Sequence, residues 1–140
     1  MQPVDIQPMD GFLSHLEFLG YTLNTIDAEK HITGAKHPTR HNLVVRPWRY
    51  GALLSASYGA TPAAKADKTG EMALLKVANE FNMGFTLCRA VLDKDKDFIM
   101  EAYYPVAYNK RDFGVFLDTI ENDINNGFKG ISAESRALIA

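Results

Sequence analysis

Apolar residues recur at helical spacing in three segments of the chain. The first segment, residues 10–20, places Phe12, Leu16 and Leu19 on one helical face, with Asp10 at the position of an N-cap. The last segment has the most regular pattern and is predicted to stop at Asn126-Gly127. Its buried face is predicted to consist of Phe113, Phe116, Leu117, Ile120 and Ile124.

The middle helical segment contains the sequence NEFN, whose polar residues need an explanation. A loop of small residues at 60–71 leads into this helix. Its predicted buried face consists of Leu74, Leu75, Val77, Ala78 and Phe81. Asn79 falls away from that face, and Asn82 and Gly84 lie at the helix exit, where Asn and Gly tolerate the left-handed conformation. We therefore interpret NEFN as a helix end and not as a binding cluster.

Five further segments have the alternation or the composition of strands. They are residues 31–37, 42–46, 51–59, 85–93 and 97–108. Pro47 is expected in the turn after the second of them, because proline cannot donate a hydrogen bond within a sheet. The element order is then helix, three strands, helix, two strands, helix. This order predicts an α+β fold with an antiparallel sheet packed by helices.

The last two strands form a hairpin whose register is favoured by both charge and hydrophobicity. If Leu92 pairs with Phe98, then Arg89 lies opposite Glu101, which is a favourable cross-strand pair. The same register directs one apolar set to the core, namely Cys88, Ala90, Met100, Ala102 and Tyr104. The opposite face carries Phe85, Leu87, Arg89, Val91, Ile99, Glu101 and Tyr103. Monomers rarely expose so large an apolar patch, so we predict that a partner covers this face.

Length and composition narrow the possible classes of protein. The chain of 140 residues suits one domain, which we place at residues 10–130, between a loose lead-in at 1–9 and a C-terminal tail at 131–140. A formal net charge of −2 without a cluster of Lys and Arg argues against nucleic-acid binding. Cys88 is the sole cysteine, which suits a reducing compartment. Without a signal pattern or a membrane-length apolar run, we expect a cytoplasmic protein that binds no membrane.

The motifs that resemble chemical sites do not meet the requirements of those sites. DKDKD at 93–97 opens like a calcium loop, but Phe98 and Tyr104 occupy the positions that need Gly and Glu. His37 and His41 flank a proline, so they do not share a helical metal-binding face, although a loose site with His31 stays open. We assign no catalytic residue, no cofactor and no metal ligand.

Three stretches carry a resemblance when they are combined with the element order: LLKVANEFN, FTLCRAVLDKDKDFIMEAYYPV and FGVFLDTIENDI. Together they resemble the YbjN-like family, which shares the fold of type III secretion chaperones. In that family the second helix ends in an N-x-x-N-like exit, a hairpin with an acidic tip follows, and an amphipathic helix closes the domain. The resemblance implies a non-enzymatic domain, often dimeric, with a regulatory or protein-binding role.

Two functional hypotheses remain open at this point. The first is a protein-interaction module, a chaperone-like or regulatory adaptor, whose hairpin face pairs with a second copy or with another protein. In the alternative that needs no partner, the middle helix of the same chain covers that face through Leu75 and Val77. The second hypothesis is a small-ligand or enzymatic domain with a pocket lined by Tyr103, Tyr104, Tyr108 and the histidines.

Overall fold

The computed structural model describes residues 8–140, in which five helices and six strands form an α+β fold, as predicted. The helices are α1 (Asp10–Phe18), α2 (Pro62–Lys65), α3 (Lys68–Gly84), α4 (Lys110–Gly130) and α5 (Ala133–Arg136). The strands are β1 (Thr22–Asp27), β2 (Ile32–Lys36), β3 (Leu43–Trp48), β4 (Gly51–Tyr58), β5 (Arg89–Leu92) and β6 (Phe98–Tyr104). Most of the predicted lead-in at 1–9 lies outside the described residues, and Met9 is buried at the start of α1.

The strands form one sheet in the order β1-β2-β3-β4-β6-β5. The hairpin register is the predicted one, with Arg89 opposite Glu101 and Leu92 opposite Phe98. The side chains assigned to the inner face are all buried: Cys88, Ala90, Met100, Ala102 and Tyr104. Charge pairing and apolar alternation therefore identified the correct register, because a slip of one residue would have reversed both faces.

Two features of the sheet differ from the sequence predictions. No pattern predicted β1, because its side chains are mostly exposed and lack an apolar alternation. Pro47, expected in a turn, lies within β3 opposite Ala52. The pairing of β2 with β3 extends only to Val45, so the missing amide hydrogen of Pro47 interrupts no bond between those two strands.

The chain divides into two compact units, each with its own apolar core. The first unit comprises the described residues up to Ala56 together with 102–121, and the second comprises 57–101 and 122–140. Fully buried side chains of the first unit include Phe12, Leu16, Val45, Leu54, Phe113 and Leu117. Those of the second unit include Leu74, Val77, Phe81, Phe98 and Ile124. Both cores combine strand residues with helix residues, which is the packing expected of an α+β fold.

The helix starts show how local capping shapes the chain. Asp10 is not the N-cap of α1 but lies in its first turn, where the positive end of the helix dipole stabilises a carboxylate. The predicted loop at 60–71 contains α2, whose cap Thr61 accepts a hydrogen bond from the Ala64 amide at 3.3 Å. Asp67 then caps α3 by accepting from the Gly70 amide at 2.9 Å.

Gly127 lies inside α4 and does not end it. The helix continues to Gly130, although Asn126-Gly127 is a typical stop signal. A Cβ at position 127 would lie 2.5 Å from Cε1 of Phe85 and 3.0 Å from Cδ1 of Phe81. The glycine is therefore needed for close approach of two aromatic rings to the helix backbone, and packing overrides the local preference to stop.

Gly127→Ala is expected to lower the free energy of unfolding by about 1–3 kcal/mol, the usual cost of overpacking a core. Gly130→Ala is the matched control, because no atom lies within 4 Å of the added methyl group. Its effect should stay within about 0.5 kcal/mol. Urea denaturation of both variants measures the difference, and equal midpoints would contradict the packing role of Gly127.

Two parts of the second unit, helix α3 and residues 131–140, also differ from the sequence predictions. Leu75, assigned to the buried face of α3, is 51% exposed, whereas Val77 is fully buried. Residues 131–140, expected to be a tail, contain α5, and Ile139 forms a bridge with Ala60. Glu80 of α3 holds the start of α5 by accepting hydrogen bonds from the Ser132 amide at 2.8 Å and the Ser135 hydroxyl at 2.5 Å.

Candidate interaction surface

The β5–β6 hairpin has one buried face and one open face. On the open side, Leu87 is 37% exposed and Val91 is 39% exposed. Ile99 and Glu101 on β6 are partly exposed, and Arg89 on β5 is exposed. Because side chains alternate along a strand, the members on β5 and β6 face away from the buried inner set, and the exposed Leu87 lies just before β5. We call Leu87, Arg89, Val91, Ile99 and Glu101 the outer hairpin face.

An ion pair lies at the centre of the outer hairpin face. Nε of Arg89 donates to Oε1 of Glu101 at 2.7 Å, and Nη2 lies 2.5 Å from the same oxygen. The Glu101 side chain is 15% exposed, whereas that of Arg89 is 72% exposed. An exposed pair of this kind adds about 0–1 kcal/mol to stability. The exposed Arg89 guanidinium has further N–H donors, which an acceptor of a partner can reach.

Of the other two residues predicted for this face, Phe85 lies elsewhere, whereas Tyr103 lies on the predicted side of β6. The ring of Phe85 stacks on that of Phe81, with 6.0 Å between centroids, and it packs against Gly127. Phe85 therefore packs against α3 and α4 within the second unit and is only partly exposed. Tyr103 is partly exposed on that side, and its hydroxyl accepts a hydrogen bond from the Tyr50 amide at 3.1 Å.

The free edge of β5 is closed by a side chain. The Ala90 amide donates to Oδ1 of Asn82 at 2.7 Å, and Nδ2 of Asn82 donates to the Ala90 carbonyl at 2.9 Å. The carboxamide thus makes the two bonds that a neighbouring strand would make. Asn82 lies in the last turn of α3, which ends at Gly84, so its predicted place at the helix exit is confirmed, whereas its bonds to β5 were not predicted. A partner strand cannot pair with β5 at Ala90, so the outer face is the accessible surface of this hairpin.

A buried carboxylate holds the chain just before β5. Asp123 of α4 is 4% exposed and accepts hydrogen bonds from the amides of Thr86, Leu87 and Cys88 at 3.1, 2.7 and 2.8 Å. The Thr86 hydroxyl also donates to it at 3.0 Å. Burial raises the pKa of Asp123, but these hydrogen bonds outweigh that effect and hold the pKa below its ordinary value.

Sequence reasoning missed Asp123, although a signal for it was present. Asp123 lies three residues after Ile120, so helical spacing places this carboxylate beside the apolar face of α4. A buried carboxylate needs partners, which the amides before β5 supply. Burial, followed by the charge of Asp123, raises the pKa of the Cys88 thiol to about 12. Cys88 is therefore a thiol at neutral pH and a poor nucleophile.

The tyrosines of the alternative pocket are packed against other rings. Tyr104 and Tyr108 meet Phe12 edge-on, with centroid distances of 5.6 and 5.4 Å. The Tyr108 hydroxyl and Nδ1 of His15 form a hydrogen bond of 2.9 Å. Tyr103 points to the opposite side of β6 from Tyr104, because the two are consecutive strand residues. The three tyrosines thus do not line a shared pocket.

The ring of His37 holds the backbone around it. Nε2 of His37 donates to the Leu19 carbonyl at 3.0 Å, while its Nδ1 accepts from the amides of Thr39 and Arg40 at 3.1 and 3.0 Å. His31 is exposed at a turn. Within residues 8–140, no group of three or more His, Cys, Asp or Glu side chains is placed to hold a metal ion.

The acidic hairpin tip is organised by its own backbone. Oδ1 of Asp93 accepts hydrogen bonds from the amides of Asp95 and Asp97, both at 2.9 Å. Oδ1 of Asp97 lies 2.5 Å from Nζ of Lys65, the last residue of α2. These carboxylates are thus engaged in a turn and an ion pair.

In the described part of the chain, no helix combines the length and apolarity that crossing a bilayer requires.

Comparison with known proteins identifies the fold. No family model matches the chain, and no curated protein matches its sequence. The chain is similar in structure to YbjN from E. coli, a candidate transcription regulator, with a TM-score of 0.71, 16% identity and 98% of each chain covered. It is also similar to an uncharacterized protein from Methanothermobacter thermautotrophicus, with a TM-score of 0.57, 10% identity, and 86% of this chain and 94% of that chain covered. The protein therefore has a YbjN-like α+β fold.

Proposed function

We propose that the protein is a non-enzymatic interaction module, a chaperone-like or regulatory adaptor that pairs with a second copy of itself through the outer hairpin face. The observation that carries this proposal is the contrast between the two sides of one hairpin. Its inner side chains are buried, whereas Leu87 and Val91 on the other side stay open around the pair of Arg89 and Glu101. The regulatory part of the proposal is supported by the fold shared with YbjN.

The outer hairpin face is suited to a twofold dimer because it carries complementary groups. A twofold axis brings the same patch from both copies together, so a cation and an anion on one patch meet their opposites on the other. Arg89 has spare donors, and Glu101 offers a second carboxylate oxygen. Leu87 and Val91 supply the apolar surface that is lost to solvent on pairing. The closed edge at Ala90 favours face-to-face packing over extension of the sheet.

A buried, unpaired Cys88 suits a protein that acts in a reducing cytoplasm. This sole cysteine is buried, so it offers no accessible thiol for a disulfide between copies. The proposed dimer therefore rests on non-covalent packing.

Light scattering at tens of micromolar tests the proposed dimer. We expect the wild type to have the mass of two chains and Leu87→Asp to have the mass of one, because a charge in a buried apolar contact is costly. Leu75→Asp is the matched control, since this leucine is 51% exposed on α3 and outside the outer hairpin face. Circular dichroism establishes that each variant is folded. A monomeric wild type, or equal behaviour of the two variants, would refute the proposal.

A further inference from the structure

The first unit also carries an exposed surface on β3, β4 and the turn between them. In the β3–β4 register, the pairs of Val45 with Leu54 and of Pro47 with Ala52 are buried. Arg46 and Leu53 pair on the other side and are partly exposed. At the end of the hairpin, Trp48 is 37% exposed and Tyr50 is 68% exposed. We call Arg46, Trp48, Arg49, Tyr50 and Leu53 the turn surface.

The turn is held rigidly by the chain beside it. The Tyr50 amide donates to the Tyr103 hydroxyl at 3.1 Å. A Cβ on Gly51 would lie only 2.0 Å from the carbonyl oxygen of Tyr104, so the two backbones are in direct contact there. Trp48 and Tyr50 are thus presented on a fixed support. Binding through a preorganised surface avoids the entropic cost of ordering it.

Trp48 lies between two arginines in a segment of the sequence without acidic residues. Residues 30–66 contain no Asp or Glu, although Arg46 and Arg49 flank Trp48 within that range. The Arg49 guanidinium lies 6.0 Å from the centroid of the Trp48 ring. Within residues 8–140, the Arg46 side chain makes no ion pair or hydrogen bond. A partly buried guanidinium that has no anionic partner in its own chain can pair with an anionic group of a ligand.

We propose that the turn surface binds an acidic segment of another protein that also carries apolar side chains. The partner's carboxylates pair with the guanidinium group of Arg46, and its apolar side chains pack on Trp48 and Tyr50. Trp, Tyr and Arg are the residues that contribute most to protein–protein interfaces, especially on a rigid support. Two arginines on a chain of net charge −2 are too few for a nucleic-acid backbone, which favours the acidic peptide.

The test is selection of random dodecapeptides by phage display on the wild-type protein, followed by fluorescence anisotropy with the best labelled peptide. We expect the selected peptides to be enriched in Asp and Glu together with Leu, Phe or Trp. Arg46→Glu and Tyr50→Ala should each weaken binding about tenfold or more. Arg111→Glu reverses an exposed charge on α4 in the same unit and should leave binding unchanged.

Several outcomes would overturn this inference. Selected peptides without acidic enrichment would do so, as would equal losses in Arg46→Glu and Arg111→Glu. Tighter binding of oligothymidine than of the best peptide would identify a nucleic acid as the ligand instead. A dimer that Arg46→Glu dissociates would identify a second copy as the occupant. Leu87→Asp should bind the peptide as the wild type does, so this inference and the proposed dimer succeed or fail separately.

Discussion

Replacing Phe113 with alanine is expected to lower the free energy of unfolding by about 3–5 kcal/mol. The Phe113 side chain is fully buried in the first unit. Its ring meets those of Phe12, Tyr104 and Tyr108 edge-on, with centroid distances of 4.9, 5.4 and 5.9 Å. Alanine would leave a cavity bounded by these rings, which cannot all move to fill it because each is packed against the others. Urea denaturation followed by circular dichroism measures the loss.

Val115→Ala provides the control for Phe113→Ala on the same helix. Val115 is 62% exposed, so removing two methyl groups from it should change the free energy of unfolding by no more than about 0.5 kcal/mol. Both variants gain the same residue, alanine, within α4. If the two unfolding midpoints shift equally, the aromatic cluster does not stabilise the first unit in the way that its geometry indicates.

Asp123→Asn is expected to destabilise the protein by about 2–4 kcal/mol at neutral pH. The carboxylate accepts hydrogen bonds from three consecutive amides and one hydroxyl while it is buried. Asparagine has nearly the same shape, but its NH₂ group would face donors and leave at least one amide unpaired. Asp118→Asn is the control, because the Asp118 side chain is 69% exposed and pairs with Arg40 at 3.3 Å. Its effect should not exceed about 1 kcal/mol.

The effect of Asp123→Asn should depend on pH with a defined sign. The folded-state pKa of Asp123 is lower than its ordinary value of 3.8, because hydrogen bonds from amides outweigh burial. The carboxylate's contribution is therefore complete above pH 3.8 and is lost as the pH falls through the lower folded-state pKa. On acidification below about pH 4, the wild type should lose more stability than Asp123→Asn. Parallel stability curves for the two proteins would contradict this assignment.

The β5–β6 hairpin was predictable because two independent constraints selected one register. Arg89 and Glu101 needed to meet, and the apolar side chains needed to share a face. The apolar face of α4 was equally readable, since Phe113, Ile120 and Ile124 recur at helical spacing and are all buried. In these elements local pattern and tertiary packing agree, so a sequence pattern is sufficient to locate them.

The elements that sequence reasoning missed are those in which tertiary contacts outweigh local preference. β1 has mostly exposed side chains, so its pairing with β2 through backbone hydrogen bonds leaves no trace in hydrophobicity. Pro47 is accommodated in β3 because β2 does not extend to the position opposite it. Gly127 continues α4 because aromatic rings occupy the space beside it. Each outcome depends on a neighbour that is distant in sequence.

The candidate surface was predictable in part for the same reason. Alternation along β5 located Val91, which is open in the structure, and Leu87 just before the strand is open as well. Alternation also assigned Phe85 to this face, but β5 begins only at Arg89, so strand alternation does not apply there. The partners of Asn82 and Asp123 are backbone groups, which a sequence does not distinguish from one another. Their roles therefore became visible only in the folded chain.

The closed edge of β5 has a consequence for behaviour at high concentration. An unpaired strand edge is a template on which identical chains can stack without limit, which is how fibrils grow. Here the carboxamide of Asn82 occupies the backbone groups of Ala90, and the carboxylate of Asp123 occupies the amide of Cys88. Sheet growth from β5 would first require both side chains to leave. The β5 edge is thus protected against this kind of sheet growth at Cys88 and Ala90.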